Sequence, residues 1–333
     1  MTKALIIGVS SQDGSYLADL LIGKGYEVIG TIRRSTNFYQ ENIRQLIGKV
    51  RIEAADLIDS ESIAHLLRDY QPDEVYNIAA QSVPADSWSH PYYTGEVTAL
   101  GAVRVLEAVR LYAPKARVYQ ATSREIYGNI AGMATEATPI DANNPYGIAK
   151  AYAHMMTRCY RESYGIFACA GILFNHESPR RSLHFVTRKI TAAAACIKNG
   201  VKAPPLDELG NPLVSADHKV ALGWLDSQRD WGYAAEYVEA MWRMLQNDLP
   251  RDYVIGTRTS HTVRDVCQIA FAHVGLHWED HVITSEKLLR PTEIEALVGD
   301  YSLAERELGW RPRTSFEDLI RMMVDADLER FQA

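Results

Sequence analysis

The sequence has few cysteines, no long apolar run and no surplus of basic charge, and each shortage excludes a class of protein. Its four cysteines, Cys159, Cys169, Cys196 and Cys267, are scattered and show no CxxC spacing. That pattern offers neither a zinc site nor a disulfide framework. Three of them stand in apolar stretches, where a free cysteine is ordinarily a small core residue, and a reducing compartment fits best. No apolar stretch approaches the ~20 residues of a membrane span. The opening "MTKALIIGVSSQDG" has an apolar core of about six residues and lacks the form of a secretory signal. With 35 Lys and Arg against 42 Asp and Glu, the formal net charge of -7 argues against a coat for nucleic acid or anionic membrane. It leaves room for a few cations gathered in one pocket. Internal repeats and low-complexity segments are absent. The expectation is a soluble cytoplasmic protein with no metal site.

What is present is an ordinary globular composition, 333 residues with 47% hydrophobic and 23% charged, enough for one large or two smaller domains. The first half alternates. "ALIIG" (4–8), "YEVIGTI" (26–32), "VRIEAAD" (50–56), "DEVYNIAA" (73–80) and "ARVYQAT" (116–122) read as short buried strands. Helical spacing follows at 15–25, about 60–70 and about 95–112. "YGIAKAYAHMMTRCYRESYG" (146–165) is a long helix pattern and "FACAGILF" (167–174) another buried strand. Strands alternating with helices predict βαβ units and a parallel sheet covered on both faces. The rhythm then breaks. "NHESPRRS" (175–182) is polar and turn-rich, and 199–223 reads as a loop or excursion with two adjacent prolines. Amphipathic helices return at about 262–275 and 315–331.

The first strand runs through "GVSSQDG" into a helix, the setting of a dinucleotide loop in which glycines make the turn and a helix N-terminus meets the pyrophosphate. Gly8 and Gly14 stand where such a loop needs them, with Ser11 at its middle position. The second strand ends in Arg33 and Arg34, which suit the 2′-phosphate of NADP better than the ribose of NAD. In "NPYGIAK", Tyr146 and Lys150 are four apart at a helix start and share a face. A lysine beside a phenol is expected to lower the phenol pKa and make it a usable base. With Ser123 near the end of a preceding strand they form a Ser–Tyr–Lys set.

At this point the sequence resembles the extended short-chain dehydrogenase/reductase family, and within it the GDP-mannose 4,6-dehydratases. The blocks that carry the likeness run nearly end to end: "QDGSYLADLL", "QPDEVYNIAAQS", "VYQATSREIYG", "NPYGIAKAYAH", "YRESYGIFACAGILFNHESPRR", "FVTRKIT", "DSQRDWGYAAEYVEAMW" and "RPTEIEALVGD". The resemblance implies a Rossmann-type doubly wound parallel sheet over 1–175 and about 224–255, with a smaller C-terminal α/β nucleotide-sugar domain over about 176–223 and 256–333. It implies bound NADP recycled within each turnover. Gly8, Ser11, Gln12, Asp13 and Gly14 would surround the pyrophosphate, Arg33, Arg34 and Ser35 the 2′-phosphate, and Asp56 and Leu57 the adenine. Ile78, Ala79, Ala80, Gln81, Ser82 and Tyr93 would line the cofactor, Lys150 would hold the nicotinamide ribose, and His176 and Arg181 would contact the cofactor further along. Asn175, Glu177, Lys189, Arg229, Arg290 and Glu293 fall at substrate positions. The implied partner is a GDP-mannose-like nucleotide sugar, and the implied assembly a homo-oligomer, tetramer or dimer. The chemistry implied is an internal redox elimination with Tyr146 as base at the C4 hydroxyl, Ser123 holding the C4 oxygen and Glu125 removing the C5 proton. A simple epimerase or reductase does not need Glu125, which makes it the discriminating residue; the alternatives are a 4-epimerase, a 4-dehydrogenase, an altered dehydratase or an inactive NADP-binding protein, the last opposed by the intact Ser–Tyr–Lys–Glu set.

Three features depart from the family pattern. Arg124 replaces the small hydroxyl residue that stands between Ser123 and Glu125. If the chain is still extended there, side chains alternate and Arg124 points away from the active face, which is the expected arrangement. If the chain turns, the guanidinium meets Glu125 instead. Ser11 places a side chain where backbone normally approaches the pyrophosphate. The 199–223 stretch is longer than the pattern, and "LGW" (222–224) stands where the family has "LGN", which leaves the base and the sugar open.

Overall fold

The six runs read as strands pair into one parallel sheet: β1 (Lys3–Ile7), β2 (Glu27–Ile32), β3 (Arg51–Ala54), β4 (Glu74–Asn77), β5 (Arg117–Ser123) and Ala168–Leu173, with Tyr253–Ile255 added at the edge. The structure is a computed structural model that describes residues 1–33, 41–207, 210–288 and 296–332. The order across the sheet is Tyr253–Ile255, Ala168–Leu173, β5, β4, β1, β2, β3. Every pairing is parallel.

Side chains in β1 alternate between two separate cores. Ala4 and Ile6 pack with Leu17 and Leu21 of helix α1 (Gln12–Gly23) and with Met241 and Leu245 of the helix Ala234–Gln246. Leu5 and Ile7 pack on the other face with Ile63, Leu67, Leu106 and Val109 of the helices Ser60–Tyr70 and Gly101–Tyr112. A period of two with both faces apolar makes a strand readable as a continuous hydrophobic run. The expected doubly wound parallel sheet is therefore present. β1 lies between β2 and β4, so the chain leaves it in opposite directions on its two sides. A crevice opens at that switch point, at the carboxyl ends of the strands.

A second group of elements follows. Asn175–Glu177 pairs in parallel with Gln228–Tyr233, which pairs antiparallel with Ser260–Thr262. The helices Val186–Asn199, Val263–His273 and Phe316–Arg330 enclose their own core around Ile190, Val266, Phe271, Ile320 and Val324. Within 199–223, read as a loop, the described residues hold the isolated bridge Leu206–Pro212 and the strand Val220–Leu222, which pairs with Val282–Thr284. Among the described residues no helix is long and apolar enough to cross a membrane.

One buried ion pair ties the last helix to this core. Arg188 Nε donates to both carboxylate oxygens of Asp327 at 3.0 and 2.9 Å, Arg188 Nη2 makes a further short contact, and the Thr191 hydroxyl donates at 2.8 Å. Arg188 Nη1 also donates to the Arg181 carbonyl at 2.9 Å. Asp327 is 0% exposed and Arg188 4%. Removing one partner leaves a buried charge uncompensated, so Asp327→Ala should destabilise the protein by about 3–5 kcal/mol. The double change Arg188→Met with Asp327→Leu should recover most of that loss. Denaturant unfolding of the three proteins checks both outcomes.

Candidate active site

The turn after β1 is built for close approach. Gly8 has φ +96°, a conformation that favours glycine, and a Cβ on Gly14 would stand 2.3 Å from the Gly8 carbonyl oxygen. Ser11 is the N-cap of α1: its hydroxyl accepts from the Gly14 N–H at 3.0 Å and donates to the Gly8 carbonyl at 2.8 Å. The side chain that stood in question at this position is thus folded back into the turn. The cleft above the turn has a volume of about 930 Å³ and is lined by Gly8, Ser11, Gln12, Asp13, Arg33, Asp56, Leu57, residues 78–82, Tyr93 and Arg181. Arg33 donates to the Tyr93 hydroxyl across its mouth. Gln81 presents a buried side-chain oxygen with no hydrogen-bond partner among the described residues. A helix N-terminus, a glycine cradle, an unsatisfied acceptor and an arginine in one cleft of this size fit a nicotinamide dinucleotide. Arg34 and Ser35 lie outside the described residues.

Asp13 lines this cleft and is paired with His176. His176 Nε2 is 2.8 Å from Asp13 Oδ2, and Nδ1 is 2.7 Å from the Phe174 carbonyl oxygen. With Asp13 ionised, both ring nitrogens face acceptors, an arrangement that favours the imidazolium. Burial pushes His176 down, but the Asp13 carboxylate outweighs it and the net shift is upward. Burial likewise pushes Asp13 up, and the imidazolium outweighs it and holds the carboxyl below its usual range. His176 therefore braces Asp13 from behind. The pair neutralises the carboxylate at the one end of α1 where a diphosphate would otherwise meet a negative charge. Gln12 completes the tie, donating to the His176 carbonyl at 3.0 Å and accepting from Ser178 at 2.8 Å.

At the end of β5 the chain turns. Ser123 is the last extended residue, and Arg124–Tyr127 form a short 3-10 turn capped by the Ser123 hydroxyl on the Glu125 N–H at 3.3 Å. The helix Pro145–Tyr164 starts directly against this turn. A Cβ on Gly147 would lie 2.6 Å from the Glu125 carbonyl oxygen, so only glycine lets the two backbones touch. Asn144 caps the helix through Oδ1, accepting from the Gly147 N–H at 2.8 Å, and its Nδ2 donates to Glu125 Oε2 at 3.0 Å. One side chain thus places Tyr146 and Glu125 relative to each other. Sequence reasoning missed Asn144, although an asparagine just before a helix-opening proline carries the signature of a cap. Ser123, Glu125, Tyr146 and Lys150 all converge here.

Two expectations for this set are corrected. Because the chain turns after Ser123, side-chain alternation no longer applies, and Arg124 is buried beside Glu125 with Nη1 3.4 Å from Oε1. The Tyr146 phenol is pushed up to about 12, by burial first and by the Glu125 charge, with the Ser123 hydroxyl and Arg181 pulling the other way. Lys150 does not lower it. Its ammonium is 5.9 Å from the ring centre and donates to the Ala121 carbonyl at 2.9 Å, while burial brings Lys150 itself down to about 8.

The substrate positions divide. Asn175 and Arg229 lie on adjoining strands and are half-buried. Lys189 is buried on the first turn of the helix Val186–Asn199. Glu177 is 1% exposed, bonds the Thr187 hydroxyl and stands 3.2 Å from Arg181, whose guanidinium stacks over Phe185. It is placed to orient Arg181. Arg290 and Glu293 lie outside the described residues.

The Asp13–His176 pair has a defined pH signature. The raised His176 contributes stability in full below the unfolded value of 6.5, and that contribution is lost as pH rises through the higher folded value. The lowered Asp13 contributes above its ordinary 3.8 and loses it as pH falls through the folded value. The stability difference between the unmodified protein and His176→Gln should be largest at about pH 5–6 and shrink at alkaline pH. Urea denaturation across pH checks this, and a difference that does not vary with pH would contradict the imidazolium.

The likeness to known proteins is extensive. The family profile described as GDP-mannose 4,6 dehydratase matches residues 5–323. GDP-mannose 4,6 dehydratase 1 of Arabidopsis thaliana is 46% identical over 98% of this chain and 90% of its own length. The Homo sapiens enzyme of that name is 40% identical over 98% and 91%, and that of Vibrio cholerae 40% over 99% and 94%. Among solved structures, a UDP-glucose 4-epimerase of Thermus thermophilus in complex with NAD superposes with a TM-score of 0.82 at 26% identity, covering 98% of this chain and 99% of that one. A dTDP-glucose 4,6-dehydratase of Bacillus anthracis in complex with NAD gives 0.81 at 19% identity over 98% and 96%, a likeness of fold. The chain belongs to the GDP-mannose 4,6-dehydratase family.

Proposed function

We infer that this protein is a nucleotide-sugar 4,6-dehydratase that converts GDP-mannose, or a close relative, to the 4-keto-6-deoxy sugar nucleotide. The observation that carries the reading is the meeting of Glu125 with Ser123, Tyr146 and Lys150 beside a dinucleotide cleft. Oxidation at C4 alone has no use for that carboxylate. When bound, NADP supplies the hydride acceptor for C4 and the hydride donor for C6. Tyr146 receives the C4 hydroxyl proton while Ser123 holds the C4 oxygen. At about 12 the phenol is protonated by default, so it acts as the base only once nearby positive charge draws its pKa down and leaves it ionised. The ketone at C4 acidifies C5–H, and Glu125 takes that proton. The C6 hydroxyl leaves as water, and a proton returned to C5 completes a reaction with no net redox change. Arg33 supports NADP over NAD, because an arginine–phosphate pair is charge-assisted. The cofactor side is proposed to belong to 1–175 with about 224–255, and the sugar nucleotide to 176–223 and 256–333, with Lys189, Arg229, Arg290 and Glu293 toward it. The free cysteines fit a cytoplasmic setting.

Incubation with GDP-mannose and NADP should yield a product lighter by one water, identified by mass spectrometry, and Glu125→Gln should lower the rate by about 10²–10⁴-fold. Arg33→Asp should shift the cofactor preference toward NAD. No water loss from GDP-mannose or any of a panel of nucleotide sugars would contradict the reading.

We also propose a homo-oligomer. Tyr92 is 90% exposed, and with Leu100, Ile148, Tyr152 and Met155 it makes an apolar surface across neighbouring helices, unusual on a monomer. Light scattering should show a dimer or tetramer, and Tyr152→Glu should shift it toward monomer. A monomer at micromolar concentration in the unmodified protein would overturn this.

A further inference from the structure

Arg124 stands between Ser123 and Glu125, and the proposed reaction does not use its chemistry. It stays protonated at any ordinary pH and so is neither acid nor base. Yet it is 3% exposed, and its position is over-determined. Nη2 donates to the Gly128 carbonyl at 3.1 Å, and Nη1 lies 3.4 Å from Glu125 Oε1. Gly128 offers that carbonyl because the chain bends back there: its φ is +68°, and a Cβ would fall 2.0 Å from the Asp141 carbonyl oxygen.

Glu125 is consequently held at both oxygens from two different segments. Asn144, at the start of the helix that carries Tyr146, holds Oε2. Arg124, braced on the end of the 3-10 turn, holds Oε1. A four-residue 3-10 turn does not by itself fix a glutamate side chain with several rotatable bonds. A displacement of a reacting group by about 1 Å costs on the order of 10²-fold in rate. Tyr146 and Lys150 take their positions elsewhere, from the helix Pro145–Tyr164, from Ser123 and from the Ala121 carbonyl.

We propose that Arg124 is a positioning residue for the proton-transfer half of the reaction, holding the Glu125 carboxylate in place for C5 while oxidation at C4 proceeds without it. This rests on the dehydratase reading given above. In the step concerned the C5–H bond breaks and its proton passes to Glu125. The electron pair moves through the C4 ketone and forms the C5–C6 double bond as the C6–O bond breaks. The C6 oxygen takes from Glu125 the proton that came from C5 and leaves as water. Nothing is oxidised or reduced in that step.

The test separates the two halves. Rapid mixing with GDP-mannose follows reduced nicotinamide by its near-ultraviolet absorbance, which rises with C4 oxidation and falls as the product forms. Deuterium uptake at C5 from heavy water follows proton removal. In Arg124→Ser and Arg124→Gln the rise should stay within about twofold of the unmodified protein, while the fall and the C5 exchange slow by roughly tenfold or more. Arg124→Lys, which keeps the charge, should recover most of the loss. KM for GDP-mannose should be unchanged in all three. If Arg124→Ser does not fold, the comparison of Gln with Lys decides. Equal C5 exchange in all four proteins would overturn the inference. So would an equal slowing of both phases accompanied by a lower melting temperature, which marks a structural brace. If the unmodified protein oxidises C4 yet never loses water, or does neither, it is the dehydratase reading that fails.

Discussion

Both faces of a seven-stranded parallel sheet are taken by apolar side chains, and that constraint decides where chemistry can occur. A polar group placed on either face would lose its hydration with nothing to replace it. Polar and charged residues therefore gather at the carboxyl ends of the strands, where the chain turns and backbone groups are available as partners. The end of β1 supplies the glycine turn and the N-terminus of α1. The end of β5 supplies Ser123 and Glu125. The helix Pro145–Tyr164 crosses to the second of these and brings Tyr146 and Lys150, so cofactor cleft and reacting groups share one rim.

Charges at that rim are buried, and each is held in a particular way. Asp13 and His176 compensate each other, with Gln12 and Ser178 completing the network. Lys150 is tethered to a main-chain carbonyl and brought down to about 8 by burial. Glu125 lies between Arg124 and Asn144. Buried ion pairs contribute little net stability, because desolvation consumes most of the attraction, but they penalise any arrangement in which a partner is missing. At this site their consequence is geometric: few alternative packings keep all of these groups satisfied at once.

Most of the cofactor half was legible along the chain. The strands at 4–8, 26–32, 50–56, 73–80, 116–122 and 167–174 appear within a residue or a few of their expected bounds. The expected helix at about 95–112 is divided, with a π-helical turn at Gly95–Leu100 before the α-helix Gly101–Tyr112. The helix Val186–Asn199 escaped notice for a physical reason. Residues Thr187 to Cys196 are all buried, Arg188 and Lys189 among them, so polar residue types do not mark a solvent face here.

The sequence by itself determined the alternation of strands and helices, the glycine turn before α1, and the shared helical face of Tyr146 and Lys150. Each of these follows from a local repeat of two or about 3.6 residues, or from a conformation open to glycine, and needs no knowledge of distant neighbours. Only the tertiary structure decided what surrounds those groups. Asp13 meets His176 across 163 positions, and Asn144 meets Glu125 across 19. The phenol is raised where a neighbouring lysine was expected to lower it, because burial is a property of the whole fold. Arg124 turns toward Glu125 because β5 ends at Ser123 and a 3-10 turn follows, and alternation holds only while a chain stays extended.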